Sequence, residues 1–285
     1  MPLRMMMLAL SCALLLPAPP GRTAESFEGC TGFISTLPAV VDTQGVWCLR
    51  GDVSTAMTSG SAISIQANNA TIDCNGFKVG GMAAGPSSNT YGISASGRQN
   101  ITIRNCAIRG FREGIHLQGL GGAGHLVEDN RLDNNLVKGI MVEGDGNMVR
   151  RNRVYDTGGY LDGAGGTTYG IEAQGDVIDN LVSGVFTDAA NGYVRAIWIE
   201  SEGAEARNNQ VRGLLPTGTG NAAALQSNRR GIRISGNHVY GPAEGTAGFG
   251  IAAGGLETFC VDNSATGFTT NFTGCEYASG NLSPP

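Results

Sequence analysis

Lysine occurs only twice in the 285 residues, at Lys78 and Lys138, and charged residues of every kind make up 15%. The strong helix-forming charged residues are therefore scarce, while 45 glycines interrupt any helical periodicity, so a helical protein is excluded. Positive charge is also in deficit. The formal net charge is −5, which argues against a nucleic-acid partner, because binding a phosphate backbone needs a basic surface. No two cysteines have the Cys-x-x-Cys spacing of a zinc or redox site. What this composition leaves is an all-β chain of many short strands joined by turns.

Residues 1–24 read as a signal peptide: Arg4, an apolar run from Met5 to Leu16, then a proline-rich breaker and small residues, with cleavage expected near Ala24. The run is too short for a bilayer span. Export implies a secreted or periplasmic protein with no integral membrane segment in the mature chain. Loss of Arg4 and Arg22 takes the formal charge to about −7. Cys12 offers lipidation as an alternative, but the apolar run continues past it to Leu16, where a lipidation motif should end.

Six cysteines then remain: Cys30, Cys48, Cys74, Cys106, Cys260 and Cys275. An even number in an exported chain favours disulfides. Nearest-neighbour pairing is the simplest arrangement, and it ties both ends of the chain. Cys74 in ATIDCNG and Cys106 in TIRNCAI occupy similar places in successive repeats, as a short Cα separation requires.

Those repeats are the dominant signal. YGISASG (91–97), EGIHLQG (113–119), KGIMVEG (138–144), YGIEAQG (169–175), RAIWIES (195–201), NAAALQS (221–227) and FGIAAGG (249–255) start 22, 25, 31, 26, 26 and 28 residues apart. A period in this range implies a solenoid. Each copy is followed by an alternating segment around an asparagine, such as LVEDNRL, MVRRNRV or EARNNQV. Every unit therefore offers a strand, a turn, a strand, a tight corner and a third strand. Stacked coils let each strand pair in parallel with its equivalents at about 4.8 Å. Asn105, Asn130, Asn152, Asn180, Asn209, Asn237 and Asn263 then form one structural column, their amides bonding to each other and to the turn backbone.

With its Gly-Ile strands and Asn corners over about residues 60–265, the chain resembles the right-handed parallel β-helix superfamily that includes pectate lyases, polygalacturonases and NosD-like proteins. The resemblance implies residues 25–59 as an N-terminal cap and first rung, 60–255 as β-helix rungs, and 256–285 as a C-terminal cap. It also implies a polysaccharide cleft on the outward face of the Gly-Ile sheet, beside the long segments 156–169, 186–193 and 214–221. The signatures of individual enzymes are missing: neither the Asn-Thr-Asp, Asp-Asp and Gly-His-Gly set of polygalacturonases nor the Asp-Pro-His-Asp motif of alginate epimerases occurs.

Strict alternation assigns the sides of these strands. It points Ile93, Ile115, Ile140, Ile171, Ile197, Ala223 and Ile251 inward, and two rows outward. One outward row is Ser94, His116, Met141, Glu172, Trp198, Ala224 and Ala252; the other is Ser96, Gln118, Glu143, Gln174, Glu200, Gln226 and Gly254. Carboxylates on neighbouring strands offset by two residues lie about 8 Å apart, inside the range of inverting glycosidases. Glu172, with Glu143 or Glu200, is the expected catalytic set. Trp198 offers a flat face to a sugar ring, and His116, Gln118, Gln174 and Gln226 offer hydrogen bonds to its hydroxyls.

No motif requires a cofactor. Calcium remains open, through Asp162, Asp188 and Glu172, with Arg195 as the nearest base. His125 and His238 are isolated, Arg150, Arg151 and Arg153 read as a solvated face, and GLGGAG (119–124) opens no helix and is a loop. The expected function is binding, with hydrolase or lyase cleavage as an extension, of an extended polysaccharide along the Gly-Ile sheet. The alternative is a noncatalytic envelope, adhesion or carbohydrate-binding β-helix.

Overall fold

The computed structural model describes Phe27 and residues 29–161, 166–242 and 247–283. The expected signal peptide, Cys12 and Asp162 lie outside these residues. The chain winds as a parallel solenoid of about eight turns. A representative coil runs through strands Glu113–Gln118, Leu126–Glu128 and Arg131–Asp133. Pairing is parallel from Gly32–Ile34 to Tyr277–Ser279, and the only helical element among the described residues is the 3-10 turn Met82–Ala84. The strands form sheets of nineteen and nine members. The larger contains two stacks, the Gly-Ile strands and the strands that follow them, which run on without a break in Lys138–Arg150 and Thr167–Ile178.

Like residues stack on like. Ile63, Ile93, Ile115, Ile140, Ile171, Ile197, Leu225 and Ile251 are register neighbours in the Gly-Ile stack. In the smaller sheet Val53, Val79, Ile108, Leu132, Val154, Val182, Val211, Val239 and Ala265 form a second such column. All are buried. Branched aliphatic side chains suit a pleated, close-packed interior, and each fully buried one contributes about 1.5–3 kcal/mol of transfer free energy.

The corner column is an asparagine ladder with a different start and finish from the expected one. Each Nδ2 donates to the next Oδ1, at 2.9–3.1 Å, along Asn130, Asn152, Asn180, Asn209, Asn237, Asn263 and Asn281. Asn105 is not a member. It is exposed, and the ladder's place in its coil belongs to Cys106, whose N–H donates to Asn130 Oδ1 at 3.0 Å. The left-handed backbone at this corner falls one residue before the ladder position, at Asn105, Asp129, Arg151, Asp179, Asn208 and Asp262, with φ of 53–58°. The ladder asparagines thus serve by hydrogen bonding alone.

The three disulfides are Cys30–Cys48, Cys74–Cys106 and Cys260–Cys275, as nearest-neighbour pairing predicted. Cys74–Cys106 continues the asparagine column. Three disulfides fit an oxidising extracellular or periplasmic setting. Among the described residues no helix is long and apolar enough to cross a membrane.

Candidate functional site

The Gly-Ile strands break strict alternation, and the break creates the site. A Cβ at Gly139 would sit 2.6 Å from Val154 Cγ1, and one at Gly170 would sit 2.5 Å from Val182 Cγ1. The glycine and the isoleucine after it therefore both face the interior, where the smaller sheet's aliphatic column leaves room only for a glycine or, at Ala62, Ala196 and Ala224, a fully buried alanine. The residue before each glycine is turned outward, onto the face that carries the residue after the isoleucine. Alternation alone would have buried it.

This adds a third outward row that sequence periodicity missed: Tyr91, Glu113, Lys138, Tyr169 and Arg195, register neighbours on successive strands. Of these, only Arg195 stood out in the sequence. The row interlocks with the first expected one. The His116 ring stacks on Tyr91 at 4.1 Å between centroids, and His116 Nδ1 lies 2.5 Å from Glu113 Oε2. Lys138 Nζ lies 2.9 Å from Glu172 Oε2. Arg195 donates to the Tyr169 hydroxyl at 3.0 Å and lies over the Trp198 ring, 4.4 Å from its centroid.

Burial and charge shape this surface. Burial opposes ionisation of Glu113, but the His116 hydrogen bond and the charges of Lys138, His116 and Arg112 outweigh it and hold its carboxyl below the ordinary value. Burial likewise opposes the charge on Lys138, while Glu113 and Glu172 raise its proton affinity above the usual lysine value. Glu172 is thus partnered by a lysine, whereas the expectation was mutual crowding among three glutamates.

Glu172 and Trp198 are register partners on adjacent strands. In the second row, Glu143 Oε2 accepts from Gly119 N–H at 3.3 Å and Gln174 Oε1 from Gly144 N–H at 2.8 Å, so both side chains also hold the turn of the preceding coil. Gln118 follows in register with Ser96, and Glu200 lies one residue past the strand Tyr193–Ile199, half-buried. One register differs from expectation. Leu225 pairs with Ile197 and Gln226 with Trp198, while Ala223 pairs with Arg195. The run Asn-Ala-Ala-Ala has no distinguishing residue, so the isoleucine column takes Leu225 and moves Gln226 two places, beside Trp198. Ser227 pairs with Ile199 and is fully buried.

Beside His116 opens a cavity of about 380 Å³, lined among others by Ser61, Ser64, Ser94, Arg98 and Gln118. His116 is 6% exposed, and its Nε2 is buried without a hydrogen-bond partner among the described residues. Two of the long segments are bonded to each other, Thr217 Oγ1 to Ala189 O and Thr219 N–H to Asn191 Oδ1, Gly158 of the third lies against Phe186, and Leu161 N–H donates to Pro86 O in an earlier turn. Asp188 is exposed on this corner, and among the described residues no three His, Cys, Asp or Glu side chains converge to hold a metal. His125 is a buried hydrogen-bond acceptor for Ile101 N–H. Arg150 and Arg151 pair with Glu128, away from the strip.

A family model described as "Right handed beta helix region" matches residues 51–211. No match is found among the curated proteins. Among solved structures, the Dettilon tailspike protein is similar with a TM-score of 0.51 and 15% identity, over 88% of this chain and 59% of the tailspike chain. This chain thus spans well under two thirds of the tailspike's length. An alginate lyase from Paenibacillus sp. str. FPU-7 follows at 0.43 and 14%, over 90% of this chain and 96% of the lyase. The A-module of a mannuronan C-5 epimerase from Azotobacter vinelandii aligns at 0.36 and 13%, over 90% and 91%. Identities of this size speak to the fold.

Proposed function

The chain belongs to the right-handed β-helix family, and from that premise we propose that it binds an extended polysaccharide along the outward face of its Gly-Ile sheet. One observation carries this reading: Tyr91, His116, Lys138, Tyr169, Glu172, Arg195 and Trp198 form one strip across five consecutive strands. Aromatic faces alternate there with paired charges. Strands repeat every ~4.8 Å, so the strip extends for about 20 Å, enough for several sugar units in a row. Trp198 supplies an apolar face to a ring. Glu143, Glu172, Glu200, Gln118, Gln174 and Gln226 supply acceptors and donors for hydroxyls.

Affinity electrophoresis against neutral and uronic-acid polysaccharides tests the reading. At least one should retard the native chain, and Trp198→Ala should weaken that binding about tenfold, or about 1.4 kcal/mol. Equal migration in every polysaccharide would defeat it.

Cleavage by Glu172 with Glu143 or Glu200 is a second reading, favoured by the position of Glu172 on the strand between the other two. Its test is release of reducing ends or unsaturated products, with and without calcium, and the loss of that release in Glu172→Gln.

A further inference from the structure

Resting on the reading of the strip as a glycan-binding surface, we propose that the Glu113–His116 pair is a general-base centre that hydrolyses ester substituents on a bound glycan. The pair has the form of an oriented base. Glu113 is ionised and almost fully buried, and it holds His116 Nδ1 at 2.5 Å. An ionised carboxylate accepts a hydrogen bond from Nδ1–H, which leaves the lone pair on Nε2. Tyr91 stacks on the ring and fixes its plane. Among the described residues Nε2 is buried and has no hydrogen-bond partner, although His116 lines the polar cavity. Arg112 Nε and Glu172 Oε2, the latter ion-paired with Lys138, are also buried without a hydrogen-bond partner among the described residues, but His116 is the member of this group that lines the cavity. A buried unpaired polar atom calls for a functional explanation, and a water or hydroxyl brought in with a substrate supplies the missing partner.

The cavity lining selects the reaction. Hydrolysis of a glycosidic bond needs two carboxyl groups on opposite sides of the sugar. Among the described residues no Asp or Glu lines this cavity, and Glu113 is already committed to His116. Acyl transfer needs only one group that takes a proton and returns it. His116 Nε2 removes a proton from water as the water oxygen bonds to the acyl carbonyl carbon. The tetrahedral intermediate collapses with cleavage of the bond between acyl carbon and sugar oxygen, and the imidazolium returns its proton to that oxygen. The products are a free sugar hydroxyl and a carboxylic acid. Donors for the transient oxyanion line the same cavity, namely Arg98, Gln118 and the hydroxyl of Ser61, which accepts from Ser94 at 2.7 Å and keeps its own proton to donate. Glu113 acts through His116 and is a positioning residue.

The test measures acetate released from acetylated xylan and acetylated pectin, and hydrolysis of 4-nitrophenyl acetate as a small probe, by the full chain. Wild type should release acetate. His116→Gln should lose about 100-fold or more in kcat, and Arg98→Ala, in the cavity lining, should lose activity with its thermal midpoint unchanged. Glu113→Gln should lower kcat and move the acid limb of the pH–rate profile to lower pH, because the imidazolium loses its anionic partner; a purely structural role would leave that limb in place. Absence of acetate release from all three substrates overturns the proposal. So does undiminished release in His116→Gln, or release of unsaturated sugars in place of acetate. Binding of deacetylated xylan or pectin, measured in parallel with Trp198→Ala, reports on the strip separately: binding without acetate release sinks the esterase alone, and acetate release without binding sinks the strip alone.

Discussion

Asn180 Nδ2 donates to Asn209 Oδ1 at 3.1 Å, while Asn180 Oδ1 accepts from both Asn152 N–H and Asn152 Nδ2. Asn180 also donates from Nδ2 to the Val149 carbonyl in the preceding coil, so one side chain ties three coils together. Asn180→Ala removes those bonds at a buried site and leaves the Asn152 N–H without its acceptor. The expected cost is about 1–3 kcal/mol, read as a lower urea midpoint. Polysaccharide binding by the folded fraction should be retained, and an unchanged midpoint would show that the ladder contributes nothing to stability.

Gly170 occupies the break in alternation that leaves Tyr169 turned outward. A methyl group there meets Val182 Cγ1 at 2.5 Å and Ala196 O at 2.6 Å. Two packed columns would have to part to admit it. Gly170→Ala should cost about 1–3 kcal/mol by overpacking, whereas Gly203→Ala, which has open space around its Cβ position, should cost only the strain of its left-handed φ of 69°. A larger loss at Gly203 than at Gly170 in thermal melts would contradict this account of the packing at Gly170.

Lys138 and Glu172 are each under a fifth exposed and form an ion pair. Removing one partner strands the other in a poorly hydrated site. Lys138→Met should therefore destabilise by about 1–3 kcal/mol, discounted from a fully buried pair for the residual exposure. Adding Glu172→Gln should recover much of that loss. Strictly additive effects in the double-mutant cycle would show that the pair is uncoupled.

Burial lowers the His125 proton affinity from its ordinary 6.5 to about 4. Its neutral Nδ1 accepts from Ile101 N–H. The folded value lies below the unfolded one, so as pH falls the unfolded chain takes up the proton first. The stabilisation from neutral His125 is complete above about pH 6.5 and is lost as pH falls towards 4. Its size is at most about 3 kcal/mol. Denaturation midpoints of wild type should fall across this window, and the fall should be smaller in His125→Gln; equal slopes in both proteins would assign the acid sensitivity elsewhere.

Much of this molecule is legible in the sequence because it depends on local, repeated chemistry. The period of the Gly-Ile segments dictates coils, alternation dictates the aliphatic columns, and cysteines adjacent in the chain lie close enough in space to pair. The seven-residue corner column was read correctly for Asn130 through Asn263. It failed at Asn105, which sits one residue before the ladder position taken by Cys106, because a one-letter match cannot distinguish the left-handed corner residue from the hydrogen-bonding residue that follows it.

The composition of the candidate site was decided by tertiary structure. Nothing local distinguishes the outward Glu113, Lys138 and Tyr169 from residues that strict alternation would bury. Their direction follows from the lack of room beside Gly139 and Gly170, and that room is taken by Val154 and Val182, which are later in the chain and belong to another sheet. The partners of His116 and Glu172 were hidden for the same reason, since Glu113 and Lys138 reach them only because the break in alternation turns them outward. The register of Gln226 beside Trp198 likewise comes from Leu225 taking its place in the isoleucine column, a packing choice that three consecutive alanines leave open. Periodicity is a property of one segment and can be read from it; which residues break the period depends on what the neighbouring coils have already filled.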